Sequence, residues 1–178
     1  MIFTPTDIDG VVVIELKKIE DERGSFARAF CKKEFDDQGL KSDFVQGNTA
    51  VSHRKGTLRG MHYQQAPYAE AKLVRCIRGA VFDVAIDLRP ASATYCQWVG
   101  VELTAENNRL LYVPEGFAHG YQALADNTEL FYLVSQFYTP QAEKGVRWND
   151  PRFGIIWPIS DDILLSDKDR TWPDFTPE

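Results

Sequence analysis

Apolar residues in this chain come in short runs that alternate with polar ones and are broken by turn signals at intervals of roughly 8 to 12 residues. Gly10 to Ile19 (GVVVIELKKI) is β-branched and predicts a strand, followed by a turn at Asp21 to Gly24 that carries Arg23. The run FVQGNTAVS predicts another strand, with Gln46 and Asn48 on one face. Leu58 to Gln64 (LRGMHYQ) alternates strictly, so Leu58, Gly60, His62 and Gln64 share one face and Arg59 and Met61 the other. Bringing Arg59 and His62 into one site requires a break in that alternation, and Gly60 is where a bulge costs least.

From Lys72, KLVRCIRGAVFDVAIDLRP predicts two strands about a turn at Arg78-Gly79. In the second, Phe82, Val84, Ile86 and Leu88 fall on one face and Asp83 and Asp87 on the other, which predicts a sheet covered on one side. YCQWVGVELT is a further strand. In LLYVPEGFAHGYQAL a reversal at Pro114 to Gly116 delivers His119 just past the turn. ELFYLVSQFY reads as one long strand with Tyr132, Val134, Gln136 and Tyr138 on a shared face, separating the two phenols by about 20 Å. Lys33 to Leu40 (KEFDDQGL), closed at Gly39, is the best short helix. The Pro- and Trp-rich remainder from Val146 has no periodicity and is expected to wrap over the sheets, with Asp169 a solvated loop residue. No repeat, linker or low-complexity run interrupts residues 1–178. An all-β chain of about ten strands is expected, folded as one sandwich or small barrel, with a jelly roll as first choice.

Charge narrows the partners. A net charge of −6 and a sequence pI near 5.1 argue against a nucleic-acid partner, whose binding draws on clustered Lys and Arg. A small anion held by a few local cations fits. The opening MIFTPTDIDG lacks a basic start and a long apolar run, and no segment approaches about 18 apolar residues, so a cytoplasmic protein without a membrane partner is expected. Cys31, Cys76 and Cys96 are odd in number with no CxxC spacing, which predicts free thiols rather than a disulfide or zinc site.

Three chemistries compete for the two histidine stretches. Pro114 to His119 (PxGxxH) resembles the second metal motif of cupin barrels, but His62-Tyr63-Gln64 offers one histidine where two are usual. Glu70 is the nearby carboxylate. Nucleophilic catalysis lacks a G-x-S-x-G stretch or a partnered cysteine. Proton abstraction beside a carbonyl needs no cofactor: a histidine base, a cation near the developing enolate and a tyrosine on the far face suffice. His62, Lys72 and Tyr132 meet that description. Taken singly, each has a plainer reading: a lone strand histidine is more often structural, and Arg23 alone on a turn is more often solvated.

The set ERGSF, FVQGN, GTLRGMHYQ, AKLVRCIRGAVFDVAIDLR, LYVPEGFAHGYQAL, WNDPRFGIIWP and LSDKD closely resembles the dTDP-4-dehydrorhamnose 3,5-epimerases, in order from Asp21 to Asp169. The resemblance implies a cupin-type jelly roll with one or two short helices. It implies a homodimer that exchanges strands and acts on a nucleoside diphosphate 4-keto-6-deoxy sugar with no metal or coenzyme. At matching motif positions it implies His62 as base, Asp169 as its carboxylate partner, Tyr132 as acid and Lys72 as enolate stabiliser. Arg23, Gln46, Asn48, Arg59, His119, Glu143 and Lys168 would hold diphosphate and sugar, and Tyr138 would stack on the nucleobase.

One position departs from the family pattern. Arg28 stands in SFARAF where the family commonly has glutamate, replacing an acceptor by a donor and raising a CDP-sugar as an alternative substrate. Epimerisation at C3 alone is the other close alternative. More distant are a metal-dependent cupin oxygenase or isomerase and a non-catalytic sugar-nucleotide binding module; the base, acid and cation together weigh against the last.

Overall fold

The computed structural model describes residues 1–177. Among them the strands are, in chain order, Ile2–Pro5 (β1), Val12–Glu15 (β2), Ile19–Asp21 (β3), Gly24–Phe26 (β4), Gln46–Ser52 (β5), Leu58–Gln64 (β6) and Lys72–Arg78 (β7). Ala80–Asp87 (β8), Trp98–Thr104 (β9), Arg109–Val113 (β10), Phe117–Ala123 (β11), Thr128–Val134 (β12) and Glu143–Gly145 (β13) follow. Two short helices, Lys32–Asp36 (α1) and Asp167–Arg170 (α2), complete the set with one 3-10 turn, Pro140–Ala142.

The strands form two antiparallel sheets, as a jelly roll requires. One runs β1-β2-β10-β7-β12-β5, the other β13-β6-β11-β8-β9, and β3 and β4 make a separate hairpin. Between the sheets Val74, Cys76, Val81, Ala85, Leu111 and Leu130 pack as the central core, every one essentially sealed from water. Cys31, Cys76 and Cys96 are all free, and burial pushes the Cys76 thiol up to about 11, the behaviour of an inert core residue. Among the described residues no helix is long and apolar enough to cross a membrane.

Both faces of the five-stranded sheet are covered, which corrects the expectation of one-sided burial drawn from Asp83 and Asp87. Leu58, Met61, Val84, Ile86 and Ala118 on its outer face pack under Val146, Phe153 and Trp157. The tail is tied down by polar bonds as well: Arg147 binds Asp174, and Asp150 accepts from the Phe175 amide at 2.6 Å. Asp83 and Asp87 therefore lie on the inner face, fully buried, and each has a local hydrogen-bonding partner. Asp87 accepts from the Arg89 guanidinium at 2.7 and 2.9 Å and from Ser92 and Thr94 at 2.6 and 2.7 Å. Burial opposes its ionisation, yet those bonds bring the carboxyl down to about 2.

The helix expected over Lys33–Leu40 is regular only over Lys32–Asp36. Its end is nevertheless at Gly39, at φ +70°: Leu40 N–H reaches Phe35 O and Gly39 N–H reaches Asp36 O, the paired bonds of a Schellman cap. Phe35 anchors this turn against Phe3, Phe30 and Phe44.

The break in alternation on β6 is present and decides what that strand presents to the interior. His62 pairs with His119 while Arg59 pairs with Tyr121, so three steps along β6 match two along β11. The irregularity falls at Gly60, whose φ is +138°. A Cβ there would sit 2.6 Å from Gly120 Cα and 3.1 Å from His119 O, both backbone atoms that cannot swing away.

Gly60→Ala is expected to destabilise the fold by about 3 kcal/mol, from the strained φ and the backbone clash together. Thermal unfolding should show Tm lower by roughly 6–12 °C. For Asp87 the folded pKa lies below the unfolded one of about 3.9, so its contribution, on the order of 2 kcal/mol, is complete above that value and lost as pH falls through about 2. Denaturant unfolding of Asp87→Asn should therefore show a stability loss at pH 7 that shrinks by about half at pH 3.

Candidate active site

A cavity of about 260 Å³ opens between the two sheets, lined by Arg59 and His62 from β6, Lys72 from β7, His119 and Tyr121 from β11, and Tyr132 from β12, with Lys168 and Asp169 of α2 closing one side. The bulge at Gly60 explains how Arg59 and His62 reach the same space. His62 and His119 stand directly opposite one another across β6 and β11. A larger hollow of about 780 Å³ lies under the tail; of its charged residues, Arg89 and Asp174 are committed to Asp87 and Arg147, and Lys144 is the third. The smaller cavity is the one in which titratable groups converge.

Asp169 is the main correction to composition-based reading. It is 4% exposed, not solvated, and its Oδ1 lies 2.5 Å from His62 Nε2. The local signal for this was the Ser-x-x-Asp spacing: Ser166 caps α2 by accepting from the Asp169 amide at 3.1 Å, fixing the carboxylate on a helical turn. Burial disfavours the Asp169 carboxylate, but the hydrogen bond with His62 and the charge of that ring hold the acid below its ordinary value. Trp172 walls the imidazole edge-on at 6.1 Å, its indole laid over bare Gly145, which pairs with His62 in register.

Other basic side chains of the cavity also have carboxylate partners. His119 Nε2 lies 2.9 Å from Asp83 Oδ1, Lys72 Nζ lies 2.7 Å from Glu70 Oε1, and Lys168 Nζ lies 2.6 Å from Glu143 Oε1. Arg59 donates to the Val51 carbonyl at 2.9 Å and has no carboxylate hydrogen-bond partner among the described residues. Tyr132 faces the cavity from the opposite sheet to His62. Burial raises its phenol pKa, the Glu70 charge adds to this, and Arg59 works against it.

At the rim, the Tyr138 hydroxyl donates to Glu143 Oε2 at 2.7 Å and the Tyr138 amide donates to Gln46 Oε1 at 2.6 Å. The expected strand through Tyr138 ends at Val134. Ser135 closes the ladder by bonding Ala71 in both directions, and Gln64 captures the Thr139 amide, so the chain turns away before Tyr138 and the strand-based spacing does not apply. Asn48 pairs with Tyr132 on β5, two residues from Ala50 of the cavity wall.

Arg23, a predicted site residue, and Arg28, the departure from the family pattern, stand apart. Arg23 lies on the exposed β3–β4 hairpin, 85% exposed and bound to Asp21 of the same turn, and takes no part in the cavity. Arg28 pairs with Glu34 at 3.1 Å. Asp83, Tyr121 and Ser166 were absent from the sequence-derived set, and Glu70 entered it only as a metal ligand. Among the described residues no cluster of three or more His, Cys, Asp and Glu side chains is arranged to hold a metal ion.

The chain's likeness to known proteins covers nearly all of it. The family model for dTDP-4-dehydrorhamnose 3,5-epimerase matches residues 5–177. The chain is 50% identical over 165 residues to the dTDP-4-dehydrorhamnose 3,5-epimerase of Shigella flexneri, covering 92% of this chain and 90% of that one. Its fold superposes on the crystal structure of dTDP-4-dehydrorhamnose 3,5-epimerase from Elizabethkingia anophelis with a TM-score of 0.96, at 41% identity, over 98% of this chain and 96% of that one. A Legionella pneumophila dTDP-6-deoxy-D-glucose-3,5-epimerase, crystallised with dTDP-4-keto-L-rhamnose, matches with a TM-score of 0.91 at 40% identity over 97% and 91% of the two chains. Two antiparallel sheets with a paired-histidine cavity between them, and this extent of likeness, place the chain in the dTDP-4-dehydrorhamnose 3,5-epimerase family of isomerases.

Proposed function

We propose that this isomerase, working as one jelly-roll domain, inverts C3 and C5 of a dTDP-4-keto-6-deoxy sugar with His62 as base and Tyr132 as acid. The observation that carries this reading is the placement of His62, paired with Asp169 of α2, on one sheet and of Tyr132 on the other, across a single cavity. Both carbons flank the C4 ketone, so each C–H is acidified by the same carbonyl. Asp169 engages Nε2 of His62, leaving Nδ1 as the proton acceptor, and stabilises the imidazolium that forms. Tyr132, kept protonated by burial and by Glu70, returns a proton to the opposite face. The Lys72 ammonium lies where the C4 oxygen gains charge, and in a water-poor cavity that attraction is far stronger than in bulk solvent.

Arg59, His119 and Lys168 hold the diphosphate and sugar, joined by Gln46, Asn48 and Glu143, while exposed Tyr138 offers its ring to the nucleobase. Arg23 belongs to this set through a second copy of the chain. In this reading the exposed hairpin, with Ile19 at 69% and Phe26 at 70% exposure, reaches across a homodimer and completes the partner's cavity. No such role is needed for Arg28, which Glu34 already binds.

The reading is tested by incubating the protein with dTDP-4-keto-6-deoxyglucose in heavy water and following deuterium at C3 and C5. Uptake at both carbons is expected. His62→Ala should lower exchange at both by at least about 10³-fold, and Lys72→Met by about 10²–10³-fold. Tyr132→Phe should keep exchange at C3 while inversion at C5 fails. Exchange retained in His62→Ala would sink the base assignment. For the hairpin, Arg23→Ala and His62→Ala subunits, each impaired alone, should regain about a quarter of wild-type activity when refolded together, because half the dimers then carry one intact site. No recovery on mixing removes the strand exchange.

A further inference from the structure

Gln64 is buried to 4% at the end of β6, two residues beyond His62, and the mechanism so far gives it no part. Its carboxamide is fully engaged by the protein. Oε1 accepts from the Thr139 amide at 2.6 Å, while Nε2 donates to the carbonyls of Tyr68 at 3.0 Å and Phe137 at 3.3 Å and to Glu70 Oε2 at 3.3 Å. Two amide hydrogens shared among three acceptors leave no donor over for a ligand. Gln64 therefore acts through its neighbours, and it brackets the residues on either side of Tyr138. Tyr138 itself is 57% exposed, and Phe137 beside it 61%. Both lie past the end of β12, where side chains rather than a ladder hold the backbone. Gln64 binds the carbonyl before Tyr138 and the amide after it, and Gln46 Oε1 accepts the Tyr138 amide itself at 2.6 Å. The phenol is tethered as well: its hydroxyl donates at 2.7 Å to Glu143, the residue paired with Gln64 across β6 and β13. An aromatic ring open to solvent is thus fixed in place and direction before any ligand arrives.

We propose that Gln64 is a positioning residue for nucleotide binding: its carboxamide holds the Tyr138 ring preorganised for the nucleobase of the nucleoside diphosphate sugar. The inference rests on the reading that Tyr138 stacks on that base. Without the carboxamide the backbone from Phe137 to Thr139 turns to water for its hydrogen bonds, and the segment must be ordered again when the ligand binds. Ordering a loop at binding lowers affinity although no contact to the ligand is lost. The loss falls on the base and not on the diphosphate, because Arg59, His119 and Lys168 have their own anchors in Val51, Asp83 and Glu143.

Two ligands separate these parts: dTDP, which carries the base, and inorganic pyrophosphate, which does not. Their dissociation constants are measured by titration calorimetry on the whole chain, on Gln64→Met, which keeps the length of the side chain, on Tyr138→Ala and on the double variant. Tyr138→Ala should weaken dTDP binding by about tenfold, the effect of losing one base–aromatic stack, and leave pyrophosphate unchanged. Gln64→Met should weaken dTDP by about fivefold, leave pyrophosphate unchanged and add nothing to Tyr138→Ala in the double variant. A Gln64→Met protein that binds dTDP as the wild type does overturns the proposal and leaves the stacking reading standing. So does a further loss in the double variant, or an equal loss for both ligands, since either makes Gln64 a purely structural residue. Unchanged dTDP affinity in Tyr138→Ala overturns the stacking reading and the proposal with it. Should Gln64→Met fail to fold, Gln64→Asn, whose carboxamide is one carbon too short to hold both loops, decides: weaker dTDP with unchanged pyrophosphate supports the proposal, and any other result overturns it.

Discussion

Two backbones meet at Gly60 and Gly120 more closely than any side chain allows. A Cβ on Gly60 would lie 2.6 Å from Gly120 Cα, and one on Gly120 would lie 2.7 Å from Arg59 O. That approach is what lets β6 carry one residue more than β11 between its pairings at Arg59 and His62. A regular strand would send those two side chains to opposite faces. The extra residue turns both inward, so a guanidinium and an imidazole from one strand share a cavity with His119 from its neighbour. Everything chemical in the molecule depends on this local irregularity, and the remaining sheet serves to hold it.

Placing so many cations between two sheets carries an electrostatic cost that the protein meets pair by pair. Lys72 with Glu70 and Lys168 with Glu143 form ion pairs, and His62 with Asp169 and His119 with Asp83 form histidine–carboxylate pairs, each within 2.5–2.9 Å. Unpaired, such groups would shift toward neutrality in a low-dielectric interior. Paired, they are oriented and still present free donors to a ligand. Arg59, bonded to a backbone carbonyl instead, keeps a guanidinium free to meet a diphosphate, in a chain whose net charge is −6. Local arrangement, not overall charge, sets what this surface attracts.

How much of this could be read from the chain depends on the range of the interaction responsible. Turns at Arg78-Gly79 and Pro114–Gly116, the cap at Gly39 and the room for a bulge at Gly60 are set by one or two residues and their immediate neighbours; the sequence shows the turns and the cap and permits the bulge without requiring it. The inward burial of Asp83 and Asp87 was misread because alternation reports two faces without saying what covers each; the covering tail comes from residues some 60 positions later in the chain. Asp169 looked solvated because its neighbours Asp167, Lys168 and Arg170 are exposed, whereas docking against β6 buries that one turn. Tyr138 was extrapolated along a strand that tertiary bonds at Ser135 and Gln64 end early. Glu70 as a partner of Lys72 was hidden in the same way: the pairing depends on a locked loop, not on a motif.

Inversion of a stereocentre needs proton removal on one face of a planar enolate and delivery on the other, and a two-layer fold supplies that geometry without further invention. His62 projects from the five-stranded sheet and Tyr132 from the six-stranded sheet, and the cavity between them is the gap between layers. Because the layers are fixed by a core of Val74, Val81, Leu111 and Leu130, the separation of His62 and Tyr132 is set by packing rather than by a flexible loop. In the proposed mechanism a substrate held flat in that gap meets His62 with one face and Tyr132 with the other. If both C3 and C5 are presented in turn, the same pair serves twice; a change of ring conformation between the two steps is then a matter for the substrate, while the protein groups stay where the sheets hold them.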